Sequence, residues 1–287
     1  MLSNHFPMTT VQEPTGWQLH HHEKLFFHAA SGAPTLRIKF FHYPAYRQRV
    51  IVNQPPAHCK LRTKQPNAFY FFQQNVGTRG VISFERIVSI YPQPSTIPLS
   101  ISWGRISDIP RSLQQKYRQS FSYWPIRSPE FEKISQEQWF STDDVRNWVK
   151  DASMRITQEI HYPEKQEKRL GADQALRTHR GDCDEFTDFF ITLARMRGIP
   201  CRRLTGYFIH QINNEAEPHA WAEVFSPTKG WITIDIALRN IGKHTQYYVI
   251  RKLEEFNPAL RDYQLLKQTS PLHYHWELPP PSVTLLE

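Results

Sequence analysis

Three side chains of this 287-residue chain have the types and spacing that nucleophilic attack on a carbonyl requires: Cys183, His219 and Asp235. A thiol attacks as its thiolate, which needs a base or cationic partner. An imidazole fills that role when a carboxylate fixes its ring and stabilises its charged form. Cys183 lies in THRGDCDEFTDFFITLARMRGIP, residues 178–200, where Phe186, Phe189, Phe190 and Leu193 repeat at helical spacing and Gly198-Ile-Pro ends the pattern. Cys183 therefore stands at a helix start, where unpaired backbone N–H groups and the positive end of the dipole favour a thiolate and can receive an oxyanion. Asp182, Asp184 and Glu185 push the thiol pKa the other way, so a positive partner is needed.

His219 comes 36 residues later. HAWAEVF (219–225) and WITIDI (231–236) read as two strands joined by the SPTKG turn. Alternation puts His219, Trp221, Glu223 and Phe225 on one face of the first, and Trp231, Thr233 and Asp235 on one face of the second. If Phe225 faces Trp231, partner numbers sum to 456 and Asp235 lies diagonal to His219. With a three-residue loop the sum is 454 and the two are directly opposite. Both registers leave imidazole and carboxylate on one face and within reach. The same alternation makes Trp221 and Trp231 candidates to bind substrate as walls of a cleft, although both suit core packing. Taken singly, each triad residue has a plainer reading as a buried thiol, a half-buried strand histidine or a capping acid. Together, in this order, they favour catalysis. Tyr162 and Tyr207 are weaker candidates to line the site, and Cys201, after Pro200, reads as a buried small hydrophobe.

The elements that must hold these residues define an α+β chain. Residues 1–30 read as irregular, with His20, His21, His22 and His28 on the surface; HHEKLFFH misses the HExxH zinc pattern because Phe26 replaces the second histidine. An antiparallel β-domain is expected over 31–105, from LRIKFF (36–41), RVIVN (49–53), AFYFFQ (68–73), GVISFERIVSIY (80–91) and PLSISW (98–103). A connector covers 106–140, a catalytic core 141–270 and a Pro-rich extended tail or edge wrap 271–287. Within the core, Thr142 is the expected cap of a helix whose stripe is Val145, Trp148, Val149, Ala152, Ile156 and Ile160, and ADQALRT (172–178) is a short second helix.

A hydrophobic content of 39% with 18 Phe, 12 Tyr and 8 Trp excludes a disordered chain. The net charge of +8 permits anionic partners, but short patches such as RQR (47–49), KLRTK (60–64) and EKQEKR (164–169) read first as solvated surface, so nucleic acid is not favoured. No apolar run spans a membrane and no leader pattern opens the chain, which points to the cytoplasm. Three cysteines without a CxxC pair fit reduced thiols, with no metal or cofactor expected.

GDCDEFTDFFITLARMRGIPCRRLTGY, PHAWAEVF and GWITIDIA together resemble the three signature blocks of the transglutaminase-like superfamily, relatives of papain-type cysteine peptidases. The resemblance covers roughly 140–250, and the preceding β-domain is similar in kind to that of many bacterial members. It implies a core of helices packed on an antiparallel sheet, with Cys183 as nucleophile, His219 as base and Asp235 as orienting acid. It also implies acyl transfer on a peptide, isopeptide or glutamine amide through a thioester, without a cofactor, on a peptide or protein substrate. Water is the favoured acceptor; a crosslinking transglutaminase and a non-catalytic binding module are the alternatives. Ile236 follows the acid where many members have proline, which alters a turn more than the chemistry. No EF-hand-like loop indicates calcium, the zinc cysteine pairs of the glycan-removing relatives are missing, and the long domain before Cys183 argues against an arylamine acetyltransferase.

Overall fold

A computed structural model describes residues 14–162, 168–258, 261–266, 268 and 271–286. The first thirteen residues of the expected irregular segment and the basic run at 164–167 lie outside them. The chain is α+β, and every strand pairing within its sheets is antiparallel.

The N-terminal half is β1 (Gly16–Ala29), β2 (Thr35–His42), β3 (Gln48–Gln54), β4 (Cys59–Lys64), β5 (Asn67–Asn75), β6 (Arg79–Pro92) and the two-residue β7 (Ser95–Thr96). Helices α1 (Arg111–Tyr117), α2 (Pro129–Ser135), α3 (Val145–Glu159), α4 (Ala172–Thr178) and α5 (Cys183–Arg197) follow. Then come β8 (Cys201–Ile209), β9 (Ala216–Ser226), β10 (Gly230–Asp235), β11 (Asn240–Ile241), β12 (Lys243–His244) and β13 (Tyr248–Glu254). The chain returns to the first sheets through β14 (Tyr263–Leu265), β15 (Leu272–Glu277) and β16 (Ser282–Leu286).

One sheet has the order β15-β1-β6-β3, with β16 on the other half of the same β1 edge; a second runs β14-β2-β5-β4. They share a core in which Leu25, Phe27, Ile38, Phe40, Phe72 and Phe84 meet. The third sheet, β11-β10-β9-β8-β13, carries the helices on one face, with Trp148 and Phe190 in that core. The other face meets the first sheet through Trp17, Val88, Tyr207 and Val249.

Several expectations change. Residues 16–29, expected irregular, form a strand whose inward positions are Trp17, Leu19, His21, Glu23, Leu25, Phe27 and Ala29. His21 is buried, not on the surface, because Tyr43 and Glu23 satisfy its ring nitrogens. PLSISW forms no strand; Trp103 buries its ring and spends its N–H on the Pro98 carbonyl. The span 106–140, expected as a connector, includes α1 and α2 and packs into the helical core, where Trp124 donates to Asp188 at 2.8 Å. Conversely, KLRTK is a strand of its own. Asp144, not Thr142, caps α3 by accepting from Asn147 N–H, while the expected stripe from Val145 to Ile160 is buried throughout. The tail does wrap an edge, since β15 and β16 complete the open side of β1.

Candidate active site

Helix α5 begins at Cys183 because Asp182 and Glu185 form a capping box. The Asp182 carboxylate accepts from Asp184 N–H at 2.9 Å, and the Glu185 carboxylate accepts from Asp182 N–H at 3.1 Å. Gly198 ends the helix with φ 85°. Full burial of Phe189, Phe190, Ile191 and Leu193 holds it against the sheet, each worth about 1.5–3 kcal/mol. Thr187 Oγ1 ties it to β9 by donating to the Ala220 carbonyl, one residue from His219.

Strands β9 and β10 pair Phe225 with Trp231 and Ala222 with Ile234, the register that sums to 456. Asp235 therefore lies diagonal to His219, whose Nε2 hydrogen-bonds to Asp235 Oδ2 at 2.7 Å. The ring's other nitrogen is left for Cys183, whose thiol lies close enough for each group to shift the other's pKa. Two more groups hold the acid: Tyr248 O–H donates to Oδ2 at 2.8 Å and Leu238 N–H donates to Oδ1 at 3.1 Å. Asn240 Nδ2 in turn donates to the Tyr248 hydroxyl at 2.9 Å.

Burial alone would lower the His219 pKa, but the bonds to Asp235 and Cys183 outweigh it and push the ring up to about 10. For Cys183, burial raises the thiol pKa, His219 pulls it back, and Asp184 and Asp182 raise it again; the net direction is upward. Both partners thus hold their protons at neutral pH, and the pair sheds its first proton on the alkaline side. Asp184 is itself paired with Arg203. The other two thiols are poorer nucleophiles, since burial pushes Cys59 and Cys201 up to about 12.

Cys183 and His219 open into a cleft of about 580 Å³, and Arg203, Tyr207, Arg251 and Lys252 stand among its walls. Tyr162, for which the sequence offered no geometric reason, is brought here by a bridge between His161 and Arg180. Burial, then the nearby Cys183 and Asp182 charges, push its hydroxyl up to about 12, with the Cys183 backbone N–H pulling weakly the other way.

These observations meet a match over residues 132–236 to the Transglutaminase-like superfamily. This core belongs to the transglutaminase-like superfamily. Its fold resembles that of a candidate cysteine protease from Cytophaga hutchinsonii, with a TM-score of 0.60 and 16% identity over 95% of this chain and 94% of that one. The periplasmic domain of TgpA from Pseudomonas aeruginosa matches with a TM-score of 0.39 and 16% identity, over 75% of this chain and 89% of that domain. YebA of Bacillus subtilis, an uncharacterised protein, is 31% identical over 93 residues, which is 28% of this chain and 12% of YebA. The chain thus spans about an eighth of the length of that curated relative.

The transglutaminase-like core brings Cys183, His219 and Asp235 together and leaves both tryptophans out of the cleft. Trp221 is fully buried, its ring stacked under His219 at 6.0 Å and against Tyr248 at 5.0 Å. Trp231 shares the face of Asp235 but stands four residues away, roughly 13 Å along the strand. There the Arg202 guanidinium, held by Glu223, covers it at 4.0 Å. Alternation correctly assigned the face and could not tell its open end from its covered one. Among the described residues, no group of three or more His, Cys, Asp or Glu side chains is placed to hold a metal ion. No described helix is long and apolar enough to cross a membrane.

Gly206 lies opposite His219 in β8 and opposite Ile250 in β13. A Cβ there would sit 1.8 Å from the Val249 carbonyl oxygen, so Gly206→Ala must displace β13, which carries Tyr248. The expected cost is about 1–3 kcal/mol, read as a lower urea midpoint at unchanged slope. An unchanged midpoint would show that β13 yields freely.

Proposed function

We propose that the protein is a thiol-dependent acyl-transfer enzyme that hydrolyses a peptide, isopeptide or glutamine amide. The observation that supports this reading is the convergence of Cys183, His219 and Asp235, with the imidazole bonded to the carboxylate and the thiol beside it in the cleft wall. Loss of one proton from the Cys183–His219 pair leaves thiolate against imidazolium. The thiolate attacks the carbonyl carbon, and the oxyanion takes the Cys183 backbone N–H at the start of α5. The C–N bond breaks as the imidazolium protonates the leaving nitrogen, leaving a thioester. Water then gives a proton to the imidazole, attacks the thioester and releases the acid and the thiol. Asp235, held by Tyr248, fixes the ring through both steps. The three free thiols suit a reducing compartment such as the cytoplasm.

Incubating the protein with a peptide library and with a fluorescent primary amine separates the readings by mass spectrometry. Cleavage that is lost in Cys183→Ala, without amine incorporation, is the expected outcome. Amine incorporated with ammonia released would identify a crosslinking enzyme, and neither product would leave a binding module.

A further inference from the structure

Charge is unevenly spread along the chain. Residues 24–107 hold eleven Lys and Arg against one acid, Glu85, a net of +10; the other residues therefore sum to −2 within the whole chain's +8. The fold gathers five of these cations on one face of the sheet β14-β2-β5-β4. Arg37 and Lys39 alternate along β2, and Lys60, Arg62 and Lys64 along β4, with Phe69 and Phe71 of β5 between them. Lys39 Nζ stands 3.8 Å from the centre of the Phe69 ring and the Arg62 guanidinium 5.4 Å from that of Phe71. Arg37, Lys60, Arg62 and Phe71 line a hollow of about 430 Å³. Among the described residues none of the five is paired with a carboxylate. Burial, and then the charge of Lys64, lower the Lys39 pKa, as expected of cations crowded without a counter-charge.

This face adjoins the cleft through buried side chains. Lys252, a cleft residue, places its ammonium 5.5 Å from the Phe41 ring, and Phe41 packs on Phe69 at 4.6 Å. Phe41 N–H donates to the Asp262 carbonyl in the cleft wall at 3.1 Å. The acids at the junction are already engaged: Asp262 and Glu254 each lie 3.0 Å from Lys252, and Glu254 also holds Arg203.

We propose that this face is a docking track for an acidic segment of a polypeptide substrate, leading it into the cleft that holds Cys183. The inference rests on the acyl-transfer reading above. Cations two residues apart on a strand stand roughly 6.6 Å apart, the repeat of alternate side chains in an extended peptide. Alternate carboxylates of a Glu- and Asp-rich segment therefore meet successive cations. Lys39 and Arg62 cover the rings that single-stranded nucleic acid would need open for base stacking.

Fluorescein-labelled oligoglutamate, titrated with the full protein and followed by anisotropy, tests the track. Binding is expected, weakening with salt and by at least about tenfold when Lys60, Arg62 and Lys64 are all changed to Glu. These side chains are exposed, and the double change Lys60→Gln with Arg62→Gln is a milder second variant expected to weaken binding less. Absent binding, or affinity unchanged in both variants, overturns the proposal. So does tighter binding of oligo(dT) or of phosphatidylglycerol vesicles than of oligoglutamate, which would make the face a nucleic-acid or membrane surface. Iodoacetamide labelling of Cys183 in the same wild-type protein reports on the chemistry alone. A reactive thiol without oligoglutamate binding sinks the track and spares the acyl-transfer reading. An inert thiol with binding intact sinks that reading and overturns the substrate role of the face with it.

Discussion

Iodoacetamide modification of Cys183, read site by site by mass spectrometry, is expected to climb through the alkaline range with a midpoint above the roughly 8.5 of a free thiol. The sign follows from the site. Burial raises the thiol, Asp184 and Asp182 raise it further, and the His219 bond and charge only partly offset them. His219→Ala removes the ring that pulls the thiol pKa down, so the profile should move to still higher pH. Amide turnover should fall by about 10²–10⁴ as the general acid and base is lost. Cys59 and Cys201, both pushed up to about 12, should lag behind Cys183 at every pH. A His219→Ala profile that overlays the wild type would show that ring and thiol do not communicate. Labelling that stays rapid in acid would show an ion pair already formed at rest.

Glu23→Ala should be among the most destabilising single changes in the chain. Arg86 is buried and donates to Glu23 Oε1 at 2.7 Å, and His21 stands 3.0 Å from the same oxygen. Tyr263 O–H donates to that oxygen as well, and accepts from Arg251, which also donates to Tyr207 in the cleft wall. Removing the carboxylate strands the Arg86 guanidinium in the interior, and breaking a buried pair of this kind costs about 3–5 kcal/mol. Burial would raise the Glu23 pKa, but Arg86 and then His21 hold it down to about 2, below the ordinary 4.5. Its contribution is therefore complete above 4.5 and disappears as pH falls through about 2. The stability gap between wild type and Glu23→Ala, from urea titrations, should narrow across that window. A gap of constant size would mean that the lost interaction is packing, not charge.

The site was far more legible than its surroundings, for physical reasons. Cys183 announces itself through local rules: an apolar stripe behind it and a Gly-Ile-Pro stop at the end. His219 and Asp235 follow from a period of two and one short turn, so their place on one face and within reach needed no knowledge of distant parts, while the choice between a diagonal and a direct contact came from the pairing itself. β1 was hidden because His21 and Glu23 occupy inward positions in an otherwise apolar alternation, and only Arg86, Tyr43 and Tyr263, far off in sequence, make those positions tolerable. The basic run at 60–64 looked like scattered surface because Arg37 and Lys39 reach it only across β5. The misplacement of Trp221 and Trp231 has the same origin: period assigns a face, while Arg202, Glu223 and Tyr248 decide which part of it is covered.

The pairing of β1 with β16 also sets an order of events. Trp17 faces Leu285, and Lys24 faces Glu277 in β15, so β1 borders two strands that leave the ribosome after every element of the thiol site. Closing contacts across so much chain is slow compared with the local hairpin of β9 and β10. A nascent chain can therefore bring Cys183, His219 and Asp235 together while one margin of its first sheet is still open.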